Sequence, residues 1–302
     1  MTRNGAAARL VLVLFAASFF AQREASAQAI CSAPHSSPTL VRGGSMRTLA
    51  PGSGWLQVSL YRQQADESFN HLGDRQPFLA NGQFDTRSVF LTGAVGLTRG
   101  LDLWAQLPVH NLNANSAGEV NTTTGVGDIR VAGRVGSEFF GLDIPLALRA
   151  GAKIPGSDFP VDATVLPLTE GQFDFETSLE SSGTLGSLPL YVAGWLGYRW
   201  RTENKEAARK PGDEGYAHLA IGVFTGAFIF ELGADGLWGR APVAQGITLD
   251  GERRRLLQLI PTLGYELGPG RLEFTGQVPV YGQNLPSGVG MSIGYRFLWG
   301  VR

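Results

Sequence analysis

The sequence predicts an all-β fold, a transmembrane antiparallel up-and-down β-barrel of about twelve strands with both termini in the periplasm. Three observations predict it. The chain opens on an export signal, and no later stretch is apolar enough to span a bilayer as a helix. From Trp55 onward, runs of about ten residues alternate apolar and polar side chains with a period of two. The connections between these runs alternate short and long.

The signal comes first. Arg3 and Arg9 precede an apolar run from Leu10 to Ala21, and Ala25-Ser26-Ala27 forms a small-x-small cleavage site. Residues 1–27 therefore read as a secretory signal peptide. Residues 28–53, rich in Ser, Pro and Gly, read as an irregular periplasmic segment that could plug a barrel, and residues 54–302 as the barrel itself. The single cysteine, Cys31, has no internal disulfide partner. Ile30 stands where a lipoprotein signal expects a small residue, so Cys31 reads as an ordinary residue of that segment.

Twelve runs follow, at 55–62, 86–97, 101–109, 126–135, 142–154, 172–181, 188–200, 215–224, 228–238, 256–267, 271–280 and 289–299. In 101–109, Leu101, Leu103, Ala105, Leu107 and Val109 oppose Asp102, Trp104, Gln106 and Pro108. In 142–154 the apolar row Leu142 to Ile154 opposes Asp143, Arg149 and Lys153. A helical period would scatter these charges around a cylinder, whereas a strand separates them onto one face. An Arg or Lys at the bilayer midplane costs roughly 2–4 kcal/mol, which explains apolar faces kept free of charge. A soluble sandwich needs shorter strands and turns its charged face to water.

Short links (98–100, 136–141, 182–187, 225–227, 268–270) alternate with longer ones (63–85, 110–125, 155–171, 201–214, 239–255, 281–288). Short turns belong to the periplasmic side and long loops to the outside. Trp200, Trp238 and Phe173 fall at the predicted outer ends of runs, and Phe228, Tyr265, Phe297 and Trp299 at the inner ends, as an interfacial girdle requires. The composition agrees. The 25 basic and 26 acidic residues nearly balance, which excludes the basic excess of a nucleic-acid binder. Charged residues are only 17 % of the chain, as expected where half of each strand meets lipid.

Alternation also gives the lumen-lining candidates. The basic ones are Arg130, Arg134, Arg149, Lys153, Arg199 and Arg296. The acidic ones are Asp102, Asp128, Asp143, Asp174, Glu176, Glu180, Glu231, Asp235, Glu266 and Glu273. Bases of the fourth and fifth runs neighbour the acidic row Asp174, Glu176 and Glu180 of the sixth. Two readings stand: a transverse field that orients polar solutes, or a lumen braced by cross-strand ion pairs. Inward aromatics, Tyr61, Phe90, Trp104, Tyr191, Trp195 and Tyr216, read either as a path for apolar solutes or as filling of a small barrel.

Enzymatic signals are weak. Of the four histidines, His35, His71, His110 and His218, only His218 lies inside a run, and no Ser-His pair with an orienting partner can be assembled. Nothing has the spacing of a zinc site, and Asp158, Asp162 and Glu170 are too sparse for a calcium loop. No cofactor is expected.

Several local sequences resemble one family. They are Gly96-Leu97-Thr98-Arg99-Gly100-Leu101-Asp102-Leu103, Leu107-Pro108-Val109, Thr124-Gly125-Val126-Gly127-Asp128-Ile129-Arg130, Lys153-Ile154-Pro155-Gly156 and Leu196-Gly197-Tyr198-Arg199. The chain resembles the outer-membrane barrel family named for the meta-pathway of phenol degradation, over most of residues 50–302. That resemblance implies an outer-membrane barrel and uptake of hydrophobic or aromatic compounds, with no catalytic residues to carry over. The last run, with Tyr295, Phe297 and Trp299 alternating, resembles the signal read by the barrel assembly machinery, although the chain stops at Gly300-Val301-Arg302. The expectation is a passive channel for small solutes, hydrophobic or aromatic ones among them. It would sit in the lipid bilayer of a Gram-negative outer membrane. The alternative is a surface-interaction barrel with a filled lumen.

Overall fold

A computed structural model describes residues 48–116, 119–160 and 165–300. The signal peptide, Cys31, Asp162 and all of the 28–53 segment before residue 48 lie outside the described residues. The barrel strands are β1 (Gly54–Ala65), β2 (Gln83–Thr98), β3 (Leu101–Ser116), β4 (Glu119–Val126), β5 (Ile129–Gly136), β6 (Leu146–Ile154) and β7 (Asp174–Thr184). They continue with β8 (Leu190–Arg201), β9 (Glu214–Thr225), β10 (Phe228–Gly239), β11 (Arg255–Leu267), β12 (Gly270–Gln283) and β13 (Gly290–Trp299).

Each strand pairs antiparallel with its chain neighbour, and β1 pairs with both β2 and β13, so the sheet closes on itself. Closure removes every edge, the condition for a sheet to exist in hydrocarbon. Strands β4 and β5 both pair with β3, one after the other, and form one stave broken at Gly127-Asp128. Counted so, the barrel has twelve staves.

The fold is inside-out relative to a soluble protein. In β7, Phe175 and Leu179 are exposed on the exterior while Asp174, Glu176, Ser178, Glu180 and Ser182 are buried on the interior. In β1, Leu56, Val58 and Leu60 face out and Trp55, Gln57 and Tyr61 face in. The predicted girdle aromatics lie on the exterior at the strand ends, Trp200 and Trp238 at one end and Phe228, Tyr265, Phe297 and Trp299 at the other. Short turns close one end. Gly226 and Gly268 adopt positive φ (61° and 59°) there, which a tight hairpin requires and side chains resist.

Three details differ from the sequence reading. The predicted loop 110–125 is instead an extension of the β3–β4 hairpin, paired from Val109↔Val126 out to Ser116↔Glu119. Its exterior row turns polar at Asn111, Asn113 and Asn115 and its apolar residues Leu112 and Ala114 face inward, which hid the strand. The fifth run starts late: Ser137–Phe140 form a 3-10 turn and β6 begins at Leu146, so Asp143 lies exposed in the connection between them and not in the lumen. The remaining long loops are partly ordered. Leu285-Pro286, Glu67–Phe69 and Arg75–Pro77 form one small sheet, and Arg209-Lys210, Val243-Ala244 and Ile247-Thr248 another.

Leu232 sits outward near the middle of β10. Leu232→Arg is expected to lower stability in lipid vesicles by about 2–4 kcal/mol, read by urea titration of the folded and unfolded gel bands. A neutral effect would mean that this surface does not face hydrocarbon.

Candidate functional site

Three structures line the interior: a charged wall, a paving of aromatic rings and the loop between β6 and β7. The charged wall is built by β5 to β9 toward the long-loop end. Lys153 at the top of β6 meets Asp128 at 3.2 Å, Glu170 at 2.5 Å and Asp174 at 3.0 Å. Arg199 bridges Glu176 and Glu214, both at 3.0 Å. Arg201 contacts Glu170, Asp174 at 3.4 Å and Glu214 at 3.3 Å. Arg254 reaches Glu170 at 3.4 Å and Glu214 at 3.1 Å, and Arg130 lies 3.8 Å from Glu176. Five cations thus face five carboxylates, all buried.

A second group lies nearer the short-turn end. Arg134 binds Asp102 at 2.7 Å and Glu180 at 3.4 Å, and Arg149 lies 3.8 Å from Glu180 with its guanidinium 4.1 Å from the Trp104 ring centre. The residues just before β1 enter this mouth. The Leu49 N–H donates to Asp102 (3.1 Å), and its side chain packs on Trp55, Trp104 and Ala132. Across the lumen, Arg296 donates to Gln57 (2.9 Å), pairs with Glu273 (3.0 Å) and stacks on Trp55.

The third structure is the loop between β6 and β7. Leu166 is buried against Phe84 and Leu112, Ser157 donates to the Val126 carbonyl, and Asn204 donates to the Glu170 carbonyl. Glu170 carries the loop into the charged wall. Burial alone would raise its carboxyl, but Arg201, Lys153 and Arg254 outweigh burial and hold it well below the ordinary carboxylate range. At the other mouth Glu138 behaves similarly. Burial raises it, and hydrogen bonds from the Thr48 hydroxyl and N–H bring it below its usual value.

Aromatic rings pave the wall of β8 to β10. Tyr191 and Phe224 lie 4.9 Å apart toward the short-turn end; Trp195 stacks on His218 at 3.8 Å, nearly parallel; Tyr216 follows toward the loops. Three of these rings lie over glycines of neighbouring strands. A Cβ on Gly222 would strike the Tyr191 ring at 2.3 Å, one on Gly197 the Tyr216 ring at 2.3 Å, and one on Gly233 the His218 ring at 2.9 Å. Each glycine gives a ring room to lie along the wall rather than project into the lumen.

The predicted residues Asp102, Trp104, Asp128, Arg130, Arg134, Lys153, Asp174, Glu176, Glu180, Arg199 and Arg296 are placed buried on the inner side, with Arg149, Trp195, Glu231 and Asp235 half-buried there. Glu231 accepts from the Tyr191 hydroxyl (2.7 Å), and Asp235 pairs with His218 and accepts from Gln258. Sequence reasoning missed Glu170, Arg201, Glu214 and Arg254, which it assigned to loops. Arg201 and Glu214 continue the inward rows of Arg199 and Tyr216 by one more step of two, a signal available had those runs been extended. Glu170 and Arg254 carry no such signal. The histidine reading also needs correction. His110 is buried within β3, with Nδ1 2.7 Å from the Ser88 hydroxyl oxygen. No carboxylate orients that pair among the described residues, and it faces the interior rather than lipid.

Because the Glu170 carboxyl is lower in the folded chain than in the unfolded one, its anchor stabilises the loop at and above the ordinary carboxylate range and is lost only as pH falls through the depressed folded value. Pepsin is therefore expected to spare the 155–173 loop at mildly acidic pH and to cut it only under strong acid. Glu170→Gln should bring cleavage into the mild range. Cleavage of the unaltered protein near the ordinary Glu pKa would refute this anchoring.

Known proteins set this geometry in context. The family model described as "Putative MetA-pathway of phenol degradation" matches residues 64–297, and the chain belongs to that family. The fold is that of an outer membrane channel from Pseudomonas putida F1, with TM-score 0.67, 15 % identity, and coverage of 84 % of this chain and 98 % of the channel. Other barrels are more distant. The β domain of the Bordetella autotransporter BrkA has TM-score 0.48 and 13 % identity over 82 % of this chain and 99 % of its own. The Ralstonia pickettii toluene transporter TbuX has TM-score 0.44 and 10 % identity over 87 % of this chain and 92 % of its own. Among curated proteins, no sequence matches the chain.

Proposed function

As a member of that family, the chain is, we propose, a passive outer-membrane channel whose ring-paved wall conducts small apolar solutes, aromatic ones among them. The observation that carries the reading is the strip Tyr191, Phe224, Trp195, His218 and Tyr216 along the wall, in which Tyr191, His218 and Tyr216 are buried over glycines. Trp195 and Phe224 stay partly exposed to meet a passing solute, and an aromatic contact is worth roughly 0.5–1.5 kcal/mol, enough to attract without trapping. The short-turn end is assigned to the periplasm, with the Leu49 segment in its mouth, and the Glu170 loop to the outer mouth. On β13, Phe297 and Trp299 face outward, where the assembly machinery would read them.

The rival, a surface-interaction barrel with a closed lumen, is favoured by the Glu170 anchor, which fastens a loop across the charged wall. Single-channel recording separates the two. We expect discrete conductance, transient block by a small phenol, and block weakened roughly three- to tenfold in Trp195→Ala, in line with the loss of one ring contact. A barrel that carries no current, with or without the Glu170→Gln change, would overturn the channel reading.

A further inference from the structure

The outer surface of β13, β1, β2 and β3 carries a feature that solute passage does not use. Register places Ile293, Leu60, Val89 and Val109 side by side in one exterior row, all apolar. One step toward the loops, the next exterior row holds Met291, Arg62, Arg87 and Asn111. The surface thus changes from apolar to polar within a single step of two residues, and Arg62 and Arg87 stand at that boundary. A depression of about 600 Å³ lies there, lined by Leu60, Val89, Val109, Phe274, Met291 and Ile293 together with both arginines.

Arg62 and Arg87 are direct cross-strand partners. Like charges set opposite each other are destabilising, and Asp85 compensates only one of them. Asp85 takes the Nε and one Nη of each arginine, at 3.0–3.3 Å, leaving each guanidinium further N–H groups. Both arginines remain more than half exposed, at 57 % and 64 %. Inside the barrel Arg130, Arg134, Arg199 and Arg296 are buried beside carboxylates; here a net positive charge is left at the edge of an apolar groove.

We propose that this groove binds an acylated membrane lipid with an anionic phosphate headgroup, the chains along Leu60, Val89 and Ile293 and the phosphate between Arg62 and Arg87. Guanidinium forks match phosphate oxygens, and the height of the pair on the wall matches that of a headgroup. The proposal stands apart from the channel reading, since nothing in it requires an open lumen.

Native mass spectrometry of the delipidated full-length barrel in detergent tests it, with phosphatidylglycerol and phosphatidylcholine offered as competitors. We expect phosphatidylglycerol to be retained about tenfold better, a preference lost in Arg62→Gln/Arg87→Gln and strengthened in Asp85→Asn. A heat-modifiable gel shift confirms that each variant is folded. Equal retention of the two lipids, a preference that survives in the double variant, or displacement of the lipid by inorganic phosphate alone would overturn the proposal. If the arginines only brace Asp85, the double variant would lose thermal stability with its lipid preference unchanged, which also overturns it.

Discussion

Charge inside this barrel has to be neutralised by the barrel itself, and the rest of the structure depends on that. The wall that carries Lys153, Arg199 and Arg201 turns them inward and leaves each almost closed off from solvent, so water cannot compensate them. Carboxylates from β7, β9 and the β6–β7 loop do so instead. Removing one partner of such a buried pair typically costs about 3–5 kcal/mol, because the other charge is left stranded. The loop is therefore held in place by the same electrostatics that hold the staves in register, and its position follows from the wall rather than from its own sequence.

The transmembrane part of this architecture is legible in the sequence because lipid allows no exceptions. Leu56, Val58 and Leu60 had to alternate with Gln57, Ser59 and Tyr61, and that pattern marks the strand. Beyond the apolar band the constraint lapses. Along the end of β3 the exterior row turns polar at Asn111, Asn113 and Asn115 while Leu112 and Ala114 face in, so the apolar-outward pattern stops there although the backbone pairing continues. The same reason hides Glu170 and Arg254: a loop residue reaches the lumen by the path of its backbone, which no alternation records. Arg201 and Glu214 lie between these cases, one step past the last apolar neighbour.

Glycine has a second part in this wall. A strand glycine weakens a sheet, yet Gly197, Gly222 and Gly233 each sit beside a lumen ring. The ring covers the exposed backbone, and the glycine lets the ring lie flat, so each offsets the cost of the other. Tyr191, His218 and Tyr216 are thereby seated in the wall itself, which leaves Trp195 and Phe224 as the partly exposed rings of the strip.

Of the two readings of the lumen charges, the geometry favours bracing over a field. Opposite charges 3 Å apart form a dipole, whose potential falls with the square of distance and not with distance itself. Lys153 has three carboxylates around it and Arg199 two, and the five-against-five cluster leaves no net charge to act across the lumen. The charged wall is therefore a brace between staves and loop, with little long-range field of its own.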